Sequence, residues 1–319
     1  MKAAVVSAPG IAPAYADFRD PEPEARQVIV RVAASALSHV ARSRAAGSHY
    51  SGSGGFPFVA GVDGTGVRER DGQRVYFLLP PAPFGAMAER CVVDETHVLP
   101  LPEGLDDVVA AAIAIPGMSS WAALTERARI GAGETVLVNG ATGTSGRLAV
   151  AIARLLGAGR VIATGRNPDV LAQLGGEGAD AVVPLTDDEE ALERSLRREF
   201  GIAGIDVVLD YLWGTSAERT IVAAAKSSRD GHPIRFVHIG AASAPTLTLP
   251  SRALRSSTLQ LLGSGIGSIA FPDLLKAIRA VLDAAALQRL RVTTTACPLR
   301  DVAMYWTRET KGSRLVLEV

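Results

Sequence analysis

The clearest hydrophobic pattern in the chain lies between residues 135 and 164. Three consecutive apolar residues at 136–138 precede a glycine-rich turn, which is typical of a strand buried on both faces. Apolar side chains then recur at helical spacing, at Leu148, Ile152, Leu155 and Leu156. Gly157 ends this helix, and a second apolar run follows at 161–164. The pattern predicts a β-α-β unit with parallel strands.

The turn between the first strand and the helix is rich in small residues. Its Ala141, Gly143 and Gly146 have the spacing of the dinucleotide fingerprint G-x-G-x-x-G, with Ala in the first place. Glycine is needed there because a side chain would keep the backbone away from a pyrophosphate, which the N–H groups at the helix start bind. We therefore predict cofactor contacts from Ala141, Thr142, Gly143, Thr144, Ser145 and Gly146.

The second strand of this unit runs into Gly165, Arg166 and Asn167. NAD-binding units usually carry an acidic residue about 20 residues after the turn, whereas an arginine there accommodates the 2′-phosphate of NADP. A charge-assisted hydrogen bond contributes about 1.5 to 3 kcal/mol, so Arg166 would favour NADP roughly ten- to a hundredfold. Asn167 also fits the N-cap of a helix that has Pro168 at its first position, and both interpretations can hold.

Strands and helices continue to alternate after this unit. Apolar runs predict strands at 181–185, 205–209, 234–239 and 259–262. A capping box at 186–189 opens a charged helix to Phe200, and a helix at 273–286 and a strand at 314–319 close the chain. Six strands with intervening helices predict a doubly wound α/β fold with a six-stranded parallel sheet. Ligands lie at the carboxyl ends of such strands, so residues 210–214, with Leu212, and 240–243 are candidate cofactor neighbours.

The first hundred residues are β-rich by the same criteria. Strand-like runs at 2–6, 27–33, 73–79 and 87–93 predict a small antiparallel domain. Between them, residues 35–66 hold a short helical candidate at 38–46 and then a stretch rich in glycine and serine. Loops of this composition often border a site, and the presence of Tyr50 favours that interpretation over a solvated connector.

Composition and charge narrow the function classes. The 319 residues suffice for two domains, and 33 basic residues balance 33 acidic ones, with no basic block of the kind that binds nucleic acid or an anionic membrane. The two cysteines suit a reducing cytoplasm, and the start of the chain lacks the apolar core of a signal peptide. Residues 108–125 are uncharged, but Pro116 and Gly117 favour a buried helix, a turn and another helix over a membrane span.

Six segments in order resemble the medium-chain dehydrogenase/reductase superfamily, in particular its zinc-independent quinone oxidoreductase branch. They are MKAAVV at the start, PFVAGVDGTG at 57–66, FGAMAERCVV at 84–93, PGMSSWAAL at 116–124, NGATGTSG at 139–146 and TKGSRLVLEV at 310–319. The resemblance implies a GroES-like catalytic domain at 1–117 and 263–319, wrapped around an NADPH-binding Rossmann domain at 118–262. It also implies a cleft between the domains and a homodimer built on the outer strand at 259–265.

The resemblance also assigns cofactor contacts outside the glycine-rich turn. Ser119 matches a threonine near the nicotinamide, and Arg166 matches the 2′-phosphate position. Two segments match family segments that lie beneath the nicotinamide end of the cofactor. The first contains His238, Ile239, Gly240 and Ala241, and the second contains Gly263, Ser264 and Gly265. The segment Lys311, Gly312 and Ser313 matches a stretch that can close over the cofactor.

The sequence offers no zinc motif. The histidines do not pair at ligand spacing, and Gly61-Val62-Asp63 stands where zinc-using relatives carry Gly-His-Glu. Without zinc to polarise a carbonyl, the favoured reaction is hydride transfer from NADPH to a quinone or other small, neutral conjugated carbonyl, whose developing charge is delocalised. Asp63 is expected to be a structural hydrogen-bond acceptor.

The candidate catalytic residues are Tyr50, a possible hydrogen-bond or proton donor, and Ser38. Ser38 stands where the branch commonly has Asn, and Ala41 where it commonly has Asp, so the usual substrate is open. These departures motivate an alternative activity, the reduction of the C=C bond of an enone or enoyl group. A third possibility is a non-catalytic NADPH-binding sensor or structural protein.

Overall fold

The computed structural model describes residues 1–48, 55–227, 229–308, 310 and 312–319. The chain forms two compact units, unit 1 with residues 1–115 and 278–319, and unit 2 with residues 116–277. The sequence-based division ended the Rossmann domain at 262, whereas unit 2 continues to 277. The reason is packing, because Leu274 and Ala277 form one apolar cluster with Trp121, Ala122 and Ile269.

Strands predominate among the described residues before position 107, and strands and helices alternate from 135 to 286. The strands are β1 (Lys2–Val6), β2 (Ala14–Asp17), β3 (Gln27–Ala36), β4 (Phe58–Val59), β5 (Asp63–Arg68), β6 (Arg74–Leu78), β7 (Arg90–Asp94), β8 (Val98–Pro100), β9 (Thr135–Asn139), β10 (Arg160–Gly165), β11 (Ala181–Pro184), β12 (Val207–Asp210), β13 (Ile234–His238), β14 (Leu259–Gly263), β15 (Thr294–Pro298) and β16 (Arg314–Glu318). The helices are α1 (His39–Ala45), α2 (Asp107–Ala122), α3 (Thr144–Leu155), α4 (Pro168–Leu174), α5 (Glu189–Ala203), α6 (Gly214–Ser227), α7 (Ser251–Arg255), α8 (Phe271–Ala286) and α9 (Val302–Tyr305).

Unit 2 is built on a parallel sheet with the strand order β11-β10-β9-β12-β13-β14. This confirms the doubly wound six-stranded sheet, because the order is the 3-2-1-4-5-6 of dinucleotide-binding folds. All five residues of β9 are buried, as the apolar run predicted. The order reverses between β9 and β12, so a ligand crevice is expected at their carboxyl ends.

One helix start in unit 2 differs from the sequence-based prediction. The capping box placed the N-cap at Thr186, but α5 is capped by Asp188, whose carboxylate accepts a hydrogen bond from the Ala191 N–H. Asp is as good an N-cap as Thr, and here the helix begins one residue after it. The helix then continues past Phe200 to Ala203.

Unit 1 contains a three-stranded sheet in the order β2-β1-β4 and a larger one in the order β15-β16-β3-β5-β6-β8, with β7 also paired to β3. Strand β5 corrects the prediction that residues up to 66 are loop-like. Its glycines are required by close approach, since a Cβ on Gly66 would lie 2.2 Å from the Arg31 carbonyl oxygen. Glycine therefore marks a tightly packed central strand here rather than a turn.

Helix α2 corrects the predicted helix-turn-helix at 108–125. It runs without a turn through Pro116 and continues as a π-helical segment, Ala123–Ala128. The Pro116 carbonyl accepts hydrogen bonds from the hydroxyls of Ser119 and Ser120. The helical segment at 107–128 is long and apolar enough to cross a membrane by length and composition alone. However, 61% of its most apolar window is buried within the protein, as in a core helix.

Candidate functional site

The glycine-rich turn begins at Gly140, one residue earlier than the fingerprint spacing predicted. Gly140 follows β9 directly and has φ +92°, a conformation that favours glycine. Ala141, the predicted first fingerprint position, is buried, and its N–H donates to the Thr164 carbonyl at 2.7 Å. The signal for Gly140 was its place immediately after the strand.

Gly143 and Gly146 serve two different purposes in this turn. Gly143 is the N-cap of α3, and a Cβ built on it would meet no atom within 4 Å, so this side of the turn is open to a ligand. A Cβ on Gly146 would lie 2.3 Å from the Gly140 carbonyl oxygen, so Gly146 lets the helix pack on the turn. The N–H groups at the start of α3 can therefore bind a phosphate, as a dinucleotide pyrophosphate requires.

The end of β10 presents one exposed cation beside this turn. Gly165 is buried, and a Cβ there would lie 2.3 Å from the Thr142 methyl group, so Thr142 packs over Gly165. Arg166 is exposed, and no described residue forms a hydrogen bond or ion pair with its guanidinium. Asn167 caps α4, with its side-chain oxygen accepting from the N–H groups of Asp169 and Val170. The N-cap prediction for Asn167 is thereby confirmed.

A buried polar network connects the carboxyl ends of β9, β10 and β12. The Asn139 amide donates to Asp210 Oδ1 at 2.8 Å and to Ser216 Oγ at 3.0 Å. The Thr164 hydroxyl donates to the Asn139 side-chain oxygen at 2.8 Å. Asn139, Thr164 and Asp210 are all fully buried. This network holds the carboxyl ends of the three strands together at the switch point of the sheet. The sequence did not indicate Asn139 and Thr164 because their partners are distant in the chain.

Asp210 also organises the predicted cofactor segments that follow β12 and β13. Its carboxylate accepts the N–H groups of Leu212 and Trp213, each at 3.2 Å, and lies 3.1 Å from His238 Nδ1. Its backbone carbonyl accepts the N–H groups of Ile239 and Gly240, and the His238 carbonyl accepts that of Ser264. The structure thus brings together Leu212, His238, Ile239, Gly240, Ala241, Gly263, Ser264 and Gly265 at one end of the sheet.

A second polar contact at the switch point was not predicted. The Tyr211 hydroxyl lies 2.7 Å from Ser120 Oγ, and the Ser120 hydroxyl lies within hydrogen-bond distance of the Ser145 carbonyl, in the first turn of α3. Burial raises the pKa of Tyr211 well above its usual value, so the phenol stays protonated. The contact holds α2 and α3 beside predicted Ser119. Its partners are 91 residues apart.

The remaining candidate residues belong to unit 1. Tyr50 and Lys311 lie outside the described residues, so their predicted roles stay predictions. Ser38 is buried and caps α1, with its Oγ accepting the Ala41 N–H at 3.0 Å. Ser313 Oγ lies 2.7 Å from Thr295 Oγ1, and Gly312 takes a positive φ of 72°. The structure therefore assigns Ser38 a local structural contact, and its catalytic role stays a prediction.

Unit 1 also holds a buried carboxyl group, Asp63, on β5. One oxygen accepts a hydrogen bond from the Tyr76 hydroxyl at 2.9 Å, as expected for a structural acceptor, and the other has no hydrogen-bond partner among the described residues. Burial raises the pKa of Asp63 to about 7, opposed by the Tyr76 hydrogen bond and the charge of Arg314. Arg314 is itself partly buried, and this burial lowers the pKa of its guanidinium.

Known proteins resemble the whole chain. No family model matches it. It is 30% identical over 350 aligned positions, covering 96% of each chain, to the "Probable NADPH-dependent quinone reductase tdiC" of Emericella nidulans. The chain belongs to the quinone oxidoreductase-like branch of the medium-chain dehydrogenase/reductase family.

Solved structures agree with this family. The quinone oxidoreductase of Thermus thermophilus, whose structure was also determined with NADPH, shares 29% identity and a TM-score of 0.76 over the full length of both chains. An NAD-dependent alcohol dehydrogenase shares 25% identity with a TM-score of 0.83, again over both full chains. The names of these two proteins mention different nucleotides, NADPH and NAD, although the fold is the same. The preference for one nucleotide therefore depends on individual residues such as Arg166.

The donor groups of this family member do not form a metal site in the described part of the chain. No group of three or more His, Cys, Asp or Glu side chains converges there. Both cysteines are buried free thiols. Burial raises the pKa of Cys91 far above its usual value and that of Cys297 to about 11, so neither is a thiolate near neutral pH.

Proposed function

We propose that this chain is a zinc-independent, NADPH-dependent oxidoreductase that transfers a hydride to a quinone or another conjugated carbonyl acceptor. The observation that most supports this proposal is the exposed guanidinium of Arg166, which no described residue neutralises. Arg166 follows the end of β10, where NAD-specific units place an acidic residue. Membership in a family with a quinone reductase relative supports the acceptor class.

The residues of unit 2 fit such a cofactor. The open side of Gly143 leaves room for a pyrophosphate against the N–H groups of α3, and Arg166 offers two or more donors to a 2′-phosphate. When bound, NADPH supplies a hydride from its nicotinamide ring, and the acceptor gains that hydride and one proton. The chain's share is to orient the two reactants and exclude water. Zinc independence is proposed because Val62 has no metal-binding atom.

The activity is tested with the purified full chain, NADPH and a panel of acceptors. We expect NADPH to be oxidised with benzoquinone or naphthoquinone, at a higher kcat/KM than with 2-alkenals or cyclic enones. A reversed order would favour the alternative, C=C bond reduction, which the departures at Ser38 and Ala41 motivate. NADPH binding without turnover of any acceptor would leave only the non-catalytic role.

Removing the guanidinium tests the nucleotide preference. An Arg166→Ala variant is expected to lose roughly ten- to a hundredfold in NADPH affinity while NADH affinity stays unchanged, because one charge-assisted contact to the 2′-phosphate is lost. Binding is measured by titrating each nucleotide into the protein and following its fluorescence.

The matched control for this variant is Arg255→Ala, which removes another exposed arginine of unit 2, on α7. It should keep the wild-type ratio of the two affinities. An unchanged ratio in Arg166→Ala would refute the phosphate assignment.

We also propose that the chain forms a cytoplasmic homodimer through β14. This strand is at the edge of the six-stranded sheet, and it carries the partly exposed Leu261 and Leu262. An edge strand with apolar side chains can pair with a second copy. Sedimentation at micromolar concentration tests this, and a monomer there would contradict it.

A further inference from the structure

Tyr211 is the first residue after β12, at the end of the sheet where the strand order reverses. A dinucleotide binds across such a crevice, with one nucleotide half on each side of it. Arg166, the proposed partner of the 2′-phosphate, follows β10 and therefore belongs to the adenosine side. Tyr211 follows β12 on the other side, so its contacts bear on the nicotinamide half.

The backbone of Tyr211 is held from two directions. Its N–H donates to the Asn139 carbonyl at 3.1 Å, at the end of β9, and its carbonyl accepts the Ala242 N–H at 3.1 Å. A Cβ on Gly240 would lie 3.2 Å from the same carbonyl oxygen, so the segment after β13 packs closely on Tyr211. These backbone contacts remain when only the side-chain hydroxyl of Tyr211 is removed.

The Tyr211 hydroxyl contacts two consecutive serines of α2. It lies 2.7 Å from Ser120 Oγ. Burial raises the pKa of this phenol, and its hydrogen bonds with the hydroxyls of Ser120 and Ser119 oppose that effect. Ser120 is fully buried, whereas Ser119 is partly exposed. The three hydroxyl groups thus form one cluster that runs from the interior of unit 2 to an accessible side chain.

The hydrogen bonds of this cluster run in one direction. Ser120 Oγ lies 3.2 Å from the carbonyl oxygens of Pro116 and Ser145, which can only accept hydrogen bonds. The single hydrogen of the Ser120 hydroxyl is therefore directed at these carbonyls, and the Tyr211 hydroxyl donates the 2.7 Å hydrogen bond. Without the Tyr211 hydroxyl, the buried Ser120 oxygen would lose its donor.

Ser120 connects Ser119 to the start of α3. The Ser145 carbonyl that it contacts lies in the first turn of α3, whose N–H groups are the proposed pyrophosphate contacts. The Ser119 hydroxyl donates at 2.8 Å to the Pro116 carbonyl, which Ser120 also contacts. The position of Ser119 relative to the pyrophosphate contacts therefore depends on Ser120, which Tyr211 holds in place.

We propose that Tyr211 is a positioning residue for the nicotinamide half of the cofactor, acting through Ser120 on the Ser119 hydroxyl. This inference rests on the proposed NADPH-dependent function. The role differs from that of Arg166, which is expected to hold the 2′-phosphate on the adenosine side. Removing the Tyr211 hydroxyl therefore weakens the contribution of the nicotinamide ring to binding and leaves the rest of the dinucleotide unaffected.

The test compares NADPH with 2′-phospho-ADP-ribose, which retains the 2′-phosphate and the pyrophosphate but lacks the nicotinamide ring. The ratio of their affinities for the full chain, measured by titration calorimetry, gives the contribution of the ring. In Tyr211→Phe we expect this ratio to fall about three- to tenfold, because one hydrogen bond is lost. The affinity for 2′-phospho-ADP-ribose should stay near that of the wild type, since Gly146 still packs α3 against Gly140.

A second variant, Ser120→Ala, removes the group through which Tyr211 acts. It should lower the same ratio, and it keeps the proposal testable if Tyr211→Phe does not fold. The double variant should lower the ratio by no more than the larger single effect, because both substitutions remove the same contact.

The matched control is Thr220→Val, which removes another buried hydroxyl of unit 2. Thr220 lies on α6, and its hydroxyl donates to the Ser216 carbonyl at 2.8 Å. This variant should keep the wild-type ratio of the two affinities, whatever its melting temperature. A merely structural role of Tyr211 would give the same result as this control.

Three results would overturn the proposal. The first is an unchanged affinity ratio in a folded Tyr211→Phe variant. The second is an equal loss of affinity for both ligands, which indicates a general structural role. The third is a wild-type chain that binds NADPH no more tightly than 2′-phospho-ADP-ribose. A wild-type chain that binds neither ligand would instead refute the proposed function itself, and this inference with it.

Discussion

Replacing Asp63 by Asn is expected to raise the free energy of unfolding by about 1 to 3 kcal/mol at pH 8, because the removed ionisation cost of about 4 kcal/mol outweighs the cost of about 1 to 3 kcal/mol for the unpaired buried amide group. Asp63 is fully buried, and its pKa is raised from 3.8 to about 7 by burial. The protonated carboxyl therefore contributes stability that is fully present below about pH 4 and is lost as the pH rises through about 7. Asn stays neutral, and its side-chain oxygen can still accept the Tyr76 hydroxyl.

The pH dependence is the decisive measurement for Asp63. The stability difference between Asp63→Asn and wild type should grow by about 2 to 3 kcal/mol from about pH 5 to about pH 8, measured by urea unfolding. Asp283→Asn, an exposed carboxyl of unit 1 on α8, is the control and should show no such growth. A constant difference for Asp63→Asn would show that this carboxyl is not held protonated by the fold.

Two alanine substitutions in the glycine-rich turn should separate binding from folding. Gly143→Ala places a methyl group in open space, so the melting temperature should stay near that of the wild type. The same methyl would stand between the α3 N–H groups and the pyrophosphate, and we expect about a ten- to hundredfold loss of NADPH affinity. Gly146→Ala drives a Cβ to 2.3 Å from a backbone oxygen, so about 2 to 3 kcal/mol of stability should be lost.

Each glycine variant serves as the control for the other. Thermal unfolding without nucleotide measures the fold, and nucleotide titration measures the site. If Gly143→Ala bound NADPH as tightly as the wild type, the pyrophosphate would not lie against this turn. If Gly146→Ala kept the wild-type melting temperature, the close packing of α3 on Gly140 would not be required.

The sequence was sufficient for the parts of the fold that follow from local periodicity. The β-α-β unit at 135–167, the six parallel strands and the cap at Asn167 all depend on residues within one or two turns of each other. Arg166 could be singled out for the same reason, because its position is counted from a strand end.

Contacts between distant residues could not be predicted in this way. Asn139 and Asp210 are 71 residues apart, and nothing local shows that their strands are neighbours across the switch point. Strand β5 was missed for a different reason, because its glycines have the composition of a turn. The need for glycine follows only from the three-dimensional contacts, because a Cβ on Gly66 would clash with the Arg31 carbonyl oxygen.

The pairing of β16 with both β15 and β3 bears on the order in which the protein is assembled during synthesis. Unit 2 is contiguous, so its sheet can close once residue 277 has emerged from the ribosome. Strand β3 emerges far earlier, and its residues 27–31 can pair with β7, but the end of the same edge at 34–36 stays unpaired until residues 314–318 are made. The nascent chain therefore carries a short open strand end at 34–36 from the synthesis of β3 until that of β16, and chaperone binding is expected to concentrate there.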